Sequence, residues 1–437
     1  LWFINRRELM KIFLDMVGCR LNQAEIEQMA RQFRAQGHEI GASAAQADLV
    51  IINTCAVTSQ AAADSRQKIR HAARAGAKEI IPTGCWTSLL PAEALVLPAV
   101  QRIVTNESKD RLVADLLGLP AEEFDTEPLS RAPLPGLRQR TRAFIKVQDG
   151  CDNACTFCVT TLARGSSRSR PAAEVLADIR AAVAGGAREI VLTGVHLGSW
   201  GQDFSKPQPL RDLVQFILAE TDMPRLRLSS LEPWDLDEDF FSLWSDSRLM
   251  PHLHLPLQSG SASVLKRMLR KTTPESFLAL VAAARVACPQ VAITTDLIVG
   301  FPGETEAEFD ETVRFLNEIQ LAGGHVFTYS ARPGTPAARL KNQLPLDIRK
   351  RRNAILREVL AVSSQNYRQQ FVGQSLPVLW EASSELTERG WRIEGLSGNY
   401  LRVTAFAPAP RWNQVDIVRL NALAGEVMQG TIQKVDL

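Results

Sequence analysis

Three cysteines, Cys151, Cys155 and Cys158, stand in a C-x3-C-x2-C spacing within "QDGCDNACTFC". Closely spaced thiolates on one short loop are iron–sulfur ligands, but such runs usually bring a fourth cysteine. None follows here until Cys288, which lies in the apolar, helix-like "LVAAARVACPQ" and reads as core. A structural zinc site is the alternative. It closes with four ligands, and the next histidine, His196, lies far along in another strand. Three thiolates can instead hold three irons of a [4Fe–4S] cluster and leave the fourth open. An open iron suits an enzyme in which the amino and carboxylate groups of S-adenosylmethionine (SAM) fill the vacancy and one electron breaks the sulfonium bond. SAM and iron–sulfur centres are cofactors of radical chemistry.

Cys19 in "VGCRLNQ", Cys55 in "INTCAV" and Cys85 in "TGCWTS" are far apart in sequence, yet each closes a predicted parallel strand. In open α/β sheets the carboxyl ends of the strands face one crevice, so three thiols can meet there and hold a second three-ligated cluster. Cysteine is often simply buried, and three core cysteines at equivalent positions are the alternative. Strand-to-turn junctions beside Gly or Thr are poor core chemistry, however. One open cluster would cleave SAM; the other could bind and deliver something, with sulfur the obvious candidate.

Alternating patterns predict the elements that position these residues. In residues 10–118 the apolar runs "KIFLDMVGC", "DLVIINTC" and "EIIPTGC" are separated by the helical "NQAEIEQMARQFRAQG" and "SQAAADSRQKIRHAARAG". Continuous apolar runs between helices predict a parallel-sheet α/β domain. Residues 119–140 are rich in proline, lack apolar periodicity and read as a linker. Six strand candidates, from "AFIKVQ" and "EIVLTGV" to "VAITTDLIVG" and "GHVFTYS", occupy residues 141–366. They predict a partial (β/α)6 barrel whose site lies at the C-terminal ends of its strands. Residues 367–437 carry short strand signals such as "LPVLWEA" and "YLRVTA". A small OB-like β-barrel follows, a fold that often binds oligonucleotides. Lys and Arg do not outnumber Asp and Glu there, so RNA contact would rest on shape.

Other barrel positions suit a ligand. Gly194 and Gly198 in "LTGVHLGSWG" follow a strand, where backbone can approach a bound molecule closely. Glu232 in "LSSLEP" ends a strand and Asp296 in "TTDLIVGFPGE" lies within one. These carboxylates are placed to hydrogen-bond the amino and ribose groups of SAM, or they are capping and salt-bridge residues.

The net charge of +2 over 437 residues argues neither for nor against a nucleic-acid partner. No apolar run approaches the ~20 residues of a membrane span, so no membrane partner is expected. The start "LWFINRRELMKIFLDM" lacks a signal-peptide core and cleavage site. We expect translation to begin at Met10 and the chain to be cytoplasmic, where thiols stay reduced and bind metal or do chemistry.

Together, "QDGCDNACTFC" with "ARGSSRSR", "VGCRLNQ", "INTC", "TGC", "HLHLPLQSGS", "TTDLIVGFPGE" and "FTYSARPGTPA" resemble the radical-SAM methylthiotransferases, from about residue 11 to the C-terminus. The resemblance implies an N-terminal domain holding an auxiliary cluster, a radical-SAM barrel and a TRAM RNA-binding barrel. It implies two [4Fe–4S] clusters and SAM as cofactors, with Cys151, Cys155 and Cys158 on the SAM cluster and Cys19, Cys55 and Cys85 on the auxiliary one. "KVQDGCDNACTFC" and "VHLGSWGQD" look most like the branch acting on N6-threonylcarbamoyladenosine at position 37 of tRNA. Isopentenyladenosine in tRNA and a ribosomal-protein aspartate are the substrates of other branches. Pro82, Trp86 and the run "LDMVGCRLNQ" depart from the family pattern without removing a ligand.

The implied reaction has one SAM methylate a sulfur carried by the auxiliary cluster. A second SAM yields the 5′-deoxyadenosyl radical that removes hydrogen from adenine C2, where the methylthio group is placed. Implied partners are the tRNA anticodon loop, whose splayed bases proteins read, and a flavodoxin- or ferredoxin-like electron donor. Arg164, Arg168 and Arg170 in "ARGSSRSR" are candidates for phosphate contacts, or a solvated surface run. A non-catalytic RNA-binding protein with two structural metal sites is the rival of another class. An auxiliary cluster that only relays electrons is the rival within the mechanism.

Overall fold

The computed structural model describes residues 9–120 and 141–433. From position 121 on, the expected linker 119–140 lies outside the described residues.

Strands β1 (Lys11–Met16), β2 (Glu39–Ile40), β3 (Leu49–Thr54) and β4 (Ile80–Gly84) form a parallel sheet in the order β2-β1-β3-β4. Helices α1 (Arg20–Ala35) and α2 (Ser59–Arg74) make the crossovers; α3 (Cys85–Leu89), α4 (Pro91–Leu95) and α5 (Leu112–Leu117) follow β4. Every residue of β3 is buried, as a strand covered on both faces requires. Leu49 and Ile51 pack with Ile26, Met29 and Phe33 of α1, while Val50 and Ile52 pack with Ile69 and Ala72 of α2. Pro82 is tolerated within β4 for a simple reason. Its carbonyl accepts from Val104 N at 3.2 Å, so its missing N–H faces the same thinly paired outer edge and costs no bond to β3.

The second unit runs from β5 (Arg142–Lys146) through a ribbon of β6 (Gln148–Asp149) and β7 (Arg168–Ser169) to β8 (Glu189–Thr193) and β9 (Leu226–Leu228). It continues with β10 (His252–His254), β11 (Ala292–Val299) and β12 (Gly323–Thr328). Strands β5-β8-β9 and β10-β11-β12 form two parallel sheets, joined by bridges Leu226–Leu249 and Ser230–His254. The product is a six-stranded open barrel, in agreement with the α/β reading of the sequence. Helices α6 (Thr160–Arg164), α7 (Ala172–Ala184), α8 (Leu210–Glu220), α9 (Ala262–Arg267), α10 (Pro274–Ala287), α11 (Glu306–Ile319) and α12 (Leu346–Gln369) complete it. Thr305 and Glu308 cap α11 reciprocally, with Thr305 N donating to Glu308 at 2.8 Å and Glu308 N to Thr305 at 3.3 Å.

Strand alternation separates two faces. Ile145, Leu192, Leu228, Leu253 and Ile293 pack beneath the helices with Val175, Leu213, Phe277 and Phe315. Lys146, Thr193, Arg227, His254, Thr294 and Asp296 therefore occupy the opposite, concave face. The N-terminal sheet unit meets both edges of this open barrel. Ala24 of α1 packs on Phe144 and Val191, and at the other edge Ser59 of α2 bonds Ser330, just past β12, at 2.9 Å.

Strands β13 (Ser375–Thr387), β14 (Gly390–Ser397), β15 (Arg402–Ala407), β16 (Val415–Ala424) and β17 (Val427–Ile432) close a small barrel in the order β13-β14-β15-β17-β16. Its core holds Val378, Trp380, Ile393, Val403, Val418 and Met428. The turn after β14 docks it onto the larger barrel. Arg225 donates to Leu396 O at 3.3 Å, and Arg227 to Ser397 O at 3.3 Å and Gly398 O at 3.0 Å. Fully buried Glu189 holds both guanidiniums, at 2.9 and 2.8 Å. Among the described residues no helix is long and apolar enough to cross a membrane.

Burial alone would raise the Glu189 pKa, but Arg227 and Arg225 outweigh it and bring the carboxyl from 4.5 down to about 2. A depressed folded pKa contributes stability that is complete above the unfolded value and lost as pH falls through the folded one. Stability should therefore decline between about pH 4.5 and pH 2 through this group. Glu189→Gln leaves two buried guanidiniums without their carboxylate and should cost about 3–5 kcal/mol. Thermal unfolding of both chains across that acid range checks this, since the variant should lose the Glu189 part of the pH dependence.

Candidate functional site

The first cysteine loop leaves the C-terminal end of the barrel's first strand and is clasped at its base. In the β6–β7 ribbon Gln148 pairs with Ser169 and Asp149 with Arg168, while Cys151 N donates to Gly165 O at 3.0 Å. Gly150 permits this closure: its φ is +71°, and a Cβ there would lie 1.9 Å from Ser166 O. Thr156 N donates to Met268 O at 3.1 Å and Ala337 N to Thr156 O at 2.9 Å, which ties the loop tip to distant parts of the barrel.

Each sulfur of this loop has a donor aimed at it. Asn153 N lies 3.4 Å from Cys151 Sγ, Arg270 Nη1 3.7 Å from Cys155 Sγ, and Thr160 N 3.4 Å from Cys158 Sγ. Hydrogen bonds to sulfur favour thiolates and tune iron–sulfur centres. Burial raises the free Cys158 thiol despite its bonds to Thr160. His196 bonds Asp235 at 2.6 Å; against the effect of burial, Asp235 and the Cys151 sulfur raise it to about 10.

The second set of thiols lies at the C-terminal edge of the N-terminal sheet. Cys19 immediately precedes α1, Cys55 follows β3 and Cys85 opens α3. Gly18 lies directly under Cys55, at φ +110°, and a Cβ there would sit 2.8 Å from Cys55 Sγ. The three thiols are close enough that Cys19 and Cys85 both raise the pKa of Cys55, which burial above all pushes to about 11. A thiol raised in this way stays protonated until a metal deprotonates it. Cys288 is buried against the core beneath the helices, as its apolar surroundings predict.

The expected ligand positions fall around the first loop. Gly194 and Gly198 are packed tightly: Cβ atoms there would come within 2.9 Å of Gln148 Oε1 and 2.3 Å of Asp235 Oδ2. Glu232 pairs with Arg270, at 3.1 Å for one contact, and so acts on Cys155 through that guanidinium. Asp296 faces the concavity, paired with His254 at 3.3 Å, and its Oδ1 is buried without a hydrogen-bond partner.

The arginine run departs from expectation. Arg164 is neither a phosphate contact nor a surface residue, since its side chain is only 2% exposed. It donates through Nε to Cys85 Sγ at 3.2 Å, through Nη1 to Glu25 at 2.9 Å and Asp149 at 2.8 Å, and through Nη2 to Asn22 at 2.8 Å. Arg170 is held by Asp178 at 2.8 Å and by the carbonyl of Lys146, which leaves it poorly placed for phosphate as well. Arg168 remains, 46% exposed.

Several residues of the site escaped sequence reading. Gln148 donates to Asp149 O, Gly150 O and Ser167 Oγ, and accepts from His196 N at 2.9 Å, so it joins the cysteine loop to the turn after β8. Glu25 bonds Lys109 at 2.6 Å as well as Arg164, and Lys146 reaches Asp149 at 2.9 Å and Asp110 at 2.8 Å. Burial would raise Glu25, yet Arg164, then Lys109 and Lys146, hold its carboxyl well below the ordinary range. Signals for these existed: Glu25 sits on the buried face of α1, and Lys146 ends the apolar strand "AFIK".

The radical SAM superfamily matches residues 145–316, and a family described as uncharacterized protein family UPF0004 matches residues 11–105. Threonylcarbamoyladenosine tRNA methylthiotransferase MtaB of Bacillus subtilis (strain 168) is 35% identical, covering 89% of this chain and 88% of its own. The tRNA-2-methylthio-N(6)-dimethylallyladenosine synthase of Maricaulis maris (strain MCS10) is 32% identical and covers 97% of both chains. The radical SAM methyltransferase TsrM from Kitasatospora setae, solved with cobalamin and a [4Fe-4S] cluster, shares the fold at a TM-score of 0.55 and 16% identity, over 76% of this chain and 77% of its own. Relatives of this identity extend over both cysteine-bearing units, and on that ground the chain is an enzyme that belongs to the radical-SAM tRNA methylthiotransferases.

Proposed function

We propose that the enzyme places a methylthio group on C2 of N6-threonylcarbamoyladenosine next to the tRNA anticodon, using SAM and two [4Fe–4S] clusters. The observation that carries this reading is the pairing of two three-thiol sets, one at the barrel rim and one at the edge of the N-terminal sheet, with Arg164 bonded to Cys85 of one and to Asp149, two residues before Cys151, of the other. Among the described residues no three His, Cys, Asp or Glu side chains converge as ligands of one metal ion. Cys151, Cys155 and Cys158 would hold the cluster that SAM completes; Cys19, Cys55 and Cys85 would hold the other. When bound, these groups supply the electron that cleaves SAM and the sulfur that is transferred.

The chain's own residues do the positioning. Asn153, Arg270 and Thr160 orient the first three sulfurs, and Glu232 keeps Arg270 in place. The unpartnered Oδ1 of Asp296 is an acceptor for a hydroxyl or amino group of SAM. Cys55 and Cys85 are buried while Cys19 is exposed, so a group held by this set would be enclosed on the sheet side and open toward Cys19. On the small barrel, which we read as the TRAM domain, half-exposed Phe406 lies beneath Arg389 at 5.8 Å and offers a base-stacking surface. Such an enzyme works where its tRNA is, in the cytoplasm, with an electron donor of flavodoxin or ferredoxin type.

The choice of base rests on the stretches "KVQDGCDNACTFC" and "VHLGSWGQD". They meet beside the first triad, where Gln148 accepts from His196 N and Asn153 Nδ2 lies 3.3 Å from His196 Nδ1. The dimethylallyladenosine-directed relatives are similar enough to keep that base as the second reading. Nucleoside mass spectrometry of tRNA from a strain lacking the gene decides. Loss of the methylthio form of threonylcarbamoyladenosine is expected. Loss confined to the isopentenyl nucleoside would shift the substrate, and no change in either would end the tRNA reading.

Cysteine variants test the division of labour. Cys158→Ala should abolish 5′-deoxyadenosine formation from SAM under anaerobic reduction. Cys55→Ala should still cleave SAM yet yield no methylthio product, with bound iron falling from about eight to about four per chain. Product from Cys55→Ala would favour an electron relay instead.

A further inference from the structure

Arg164 lies six residues beyond Cys158, at the end of α6, and its guanidinium uses all three nitrogens on fixed partners. Two belong to the N-terminal unit's thiol set or its support: Cys85 Sγ at 3.2 Å, and Asn22 Oδ1 at 2.8 Å. Asn22 Oδ1 in turn lies 3.8 Å from Cys19 Sγ. A third partner, Asp149 at 2.8 Å, is two residues before Cys151. The fourth, Glu25 at 2.9 Å, sits one turn into the helix that Cys19 begins. One side chain thus touches the supports of both triads.

We infer that Arg164 is a positioning residue that sets the separation and orientation of the two triads and so couples SAM cleavage to methylthio transfer. This rests on the reading that both triads hold clusters. Charge balance alone does not call for arginine here, since a lysine would also bring a positive charge to Glu25 and Asp149. What the site uses is a planar fork with several donors in fixed directions, which a lysine ammonium cannot reproduce although it keeps the charge. Radical transfer across two centres depends on placement, and a displacement of about 1 Å can cost 10²-fold.

Arg164→Lys preserves the charge balance of the buried network and removes the fork. The readout is the ratio of methylthiolated nucleoside to 5′-deoxyadenosine in the anaerobically reconstituted enzyme. It should fall by about 10- to 100-fold. In the reduced protein the electron paramagnetic resonance line shape of the auxiliary cluster should change, and in the cluster-free chain amide exchange should rise at α1 and α3. Asn22→Ala, which removes one anchor and keeps Arg164, should move the same ratio in the same direction by a smaller factor, and it serves where Arg164→Lys does not fold. A wild-type ratio and spectrum in these variants overturn the inference. So does a loss fully accounted for by iron missing from both triads in step with a lowered unfolding temperature, which marks a purely structural role. An unsubstituted chain that loads iron at only one triad overturns the two-cluster reading itself, and is told apart by its iron content before any variant is made.

Discussion

Glu25, Lys109, Lys146, Asp149 and Arg164 form a buried set of charges between the N-terminal sheet and the barrel, each side chain 5% exposed or less. Asp110, half in solvent, pairs with Lys146 and brings the set to three charges of each sign. Burying ions is costly, and such pairs rarely stabilise more than a well-packed apolar substitute. Their advantage is direction. An apolar interface tolerates a shift of register, whereas Arg164, Glu25 and Asp149 together satisfy one another in a single arrangement. The apolar part of this contact is modest, with Ala24 against Phe144 and Val191 and Ala163 of α6 set in the cluster around Cys85 and Trp86. Polar geometry therefore sets where the two thiol sets stand.

The same principle operates within the barrel. Gln148 satisfies the carbonyls of Asp149 and Gly150 and the amide of His196 at once, so the base of the cysteine loop cannot move without breaking bonds at three places. Arg270 is held by Glu232 and the carbonyl of Pro256, and stacks over Trp234 at 4.5 Å, which leaves it only one orientation toward Cys155. The loop bearing the first triad is irregular in secondary structure, yet each end and its tip is tied to a regular element.

Much of this was legible in the sequence because topology and residue type coincide. A cysteine at the end of an apolar run, in a chain that alternates strands and helices, must emerge at the sheet's C-terminal edge; Cys19, Cys55 and Cys85 needed nothing further. Strand lengths were less legible: β10 has three residues because Pro251 and Pro256 bracket it. Arg164 was misread because a run of Arg, Ser and Gly looks the same whether water or carboxylates surround it. Its partners Asn22, Glu25 and Cys85 lie 142, 139 and 79 residues away, and no local pattern reports them. Glu232 and Asp296 stood out in the sequence as carboxylates at or within strands, but their pairing with Arg270 and His254 depends on strands that only the folded barrel brings together.

Tyr400 extends the argument to the third unit. It holds a φ of +65°, which a non-glycine residue adopts only when its surroundings over-determine it. Its ring stacks on buried His252 of β10 at 4.1 Å, lies under Arg227 at 5.1 Å, and its hydroxyl accepts from Arg20 at 2.9 Å. Arg20 is the residue after Cys19. The small barrel is thus fixed to the larger one and, through one hydroxyl, to the start of α1 beside Cys19. An RNA held on the small barrel would be indexed to both triads by bonds of fixed direction. For the proposed reaction, whose two halves would meet on one base, that constraint matters more than the stability of any single contact.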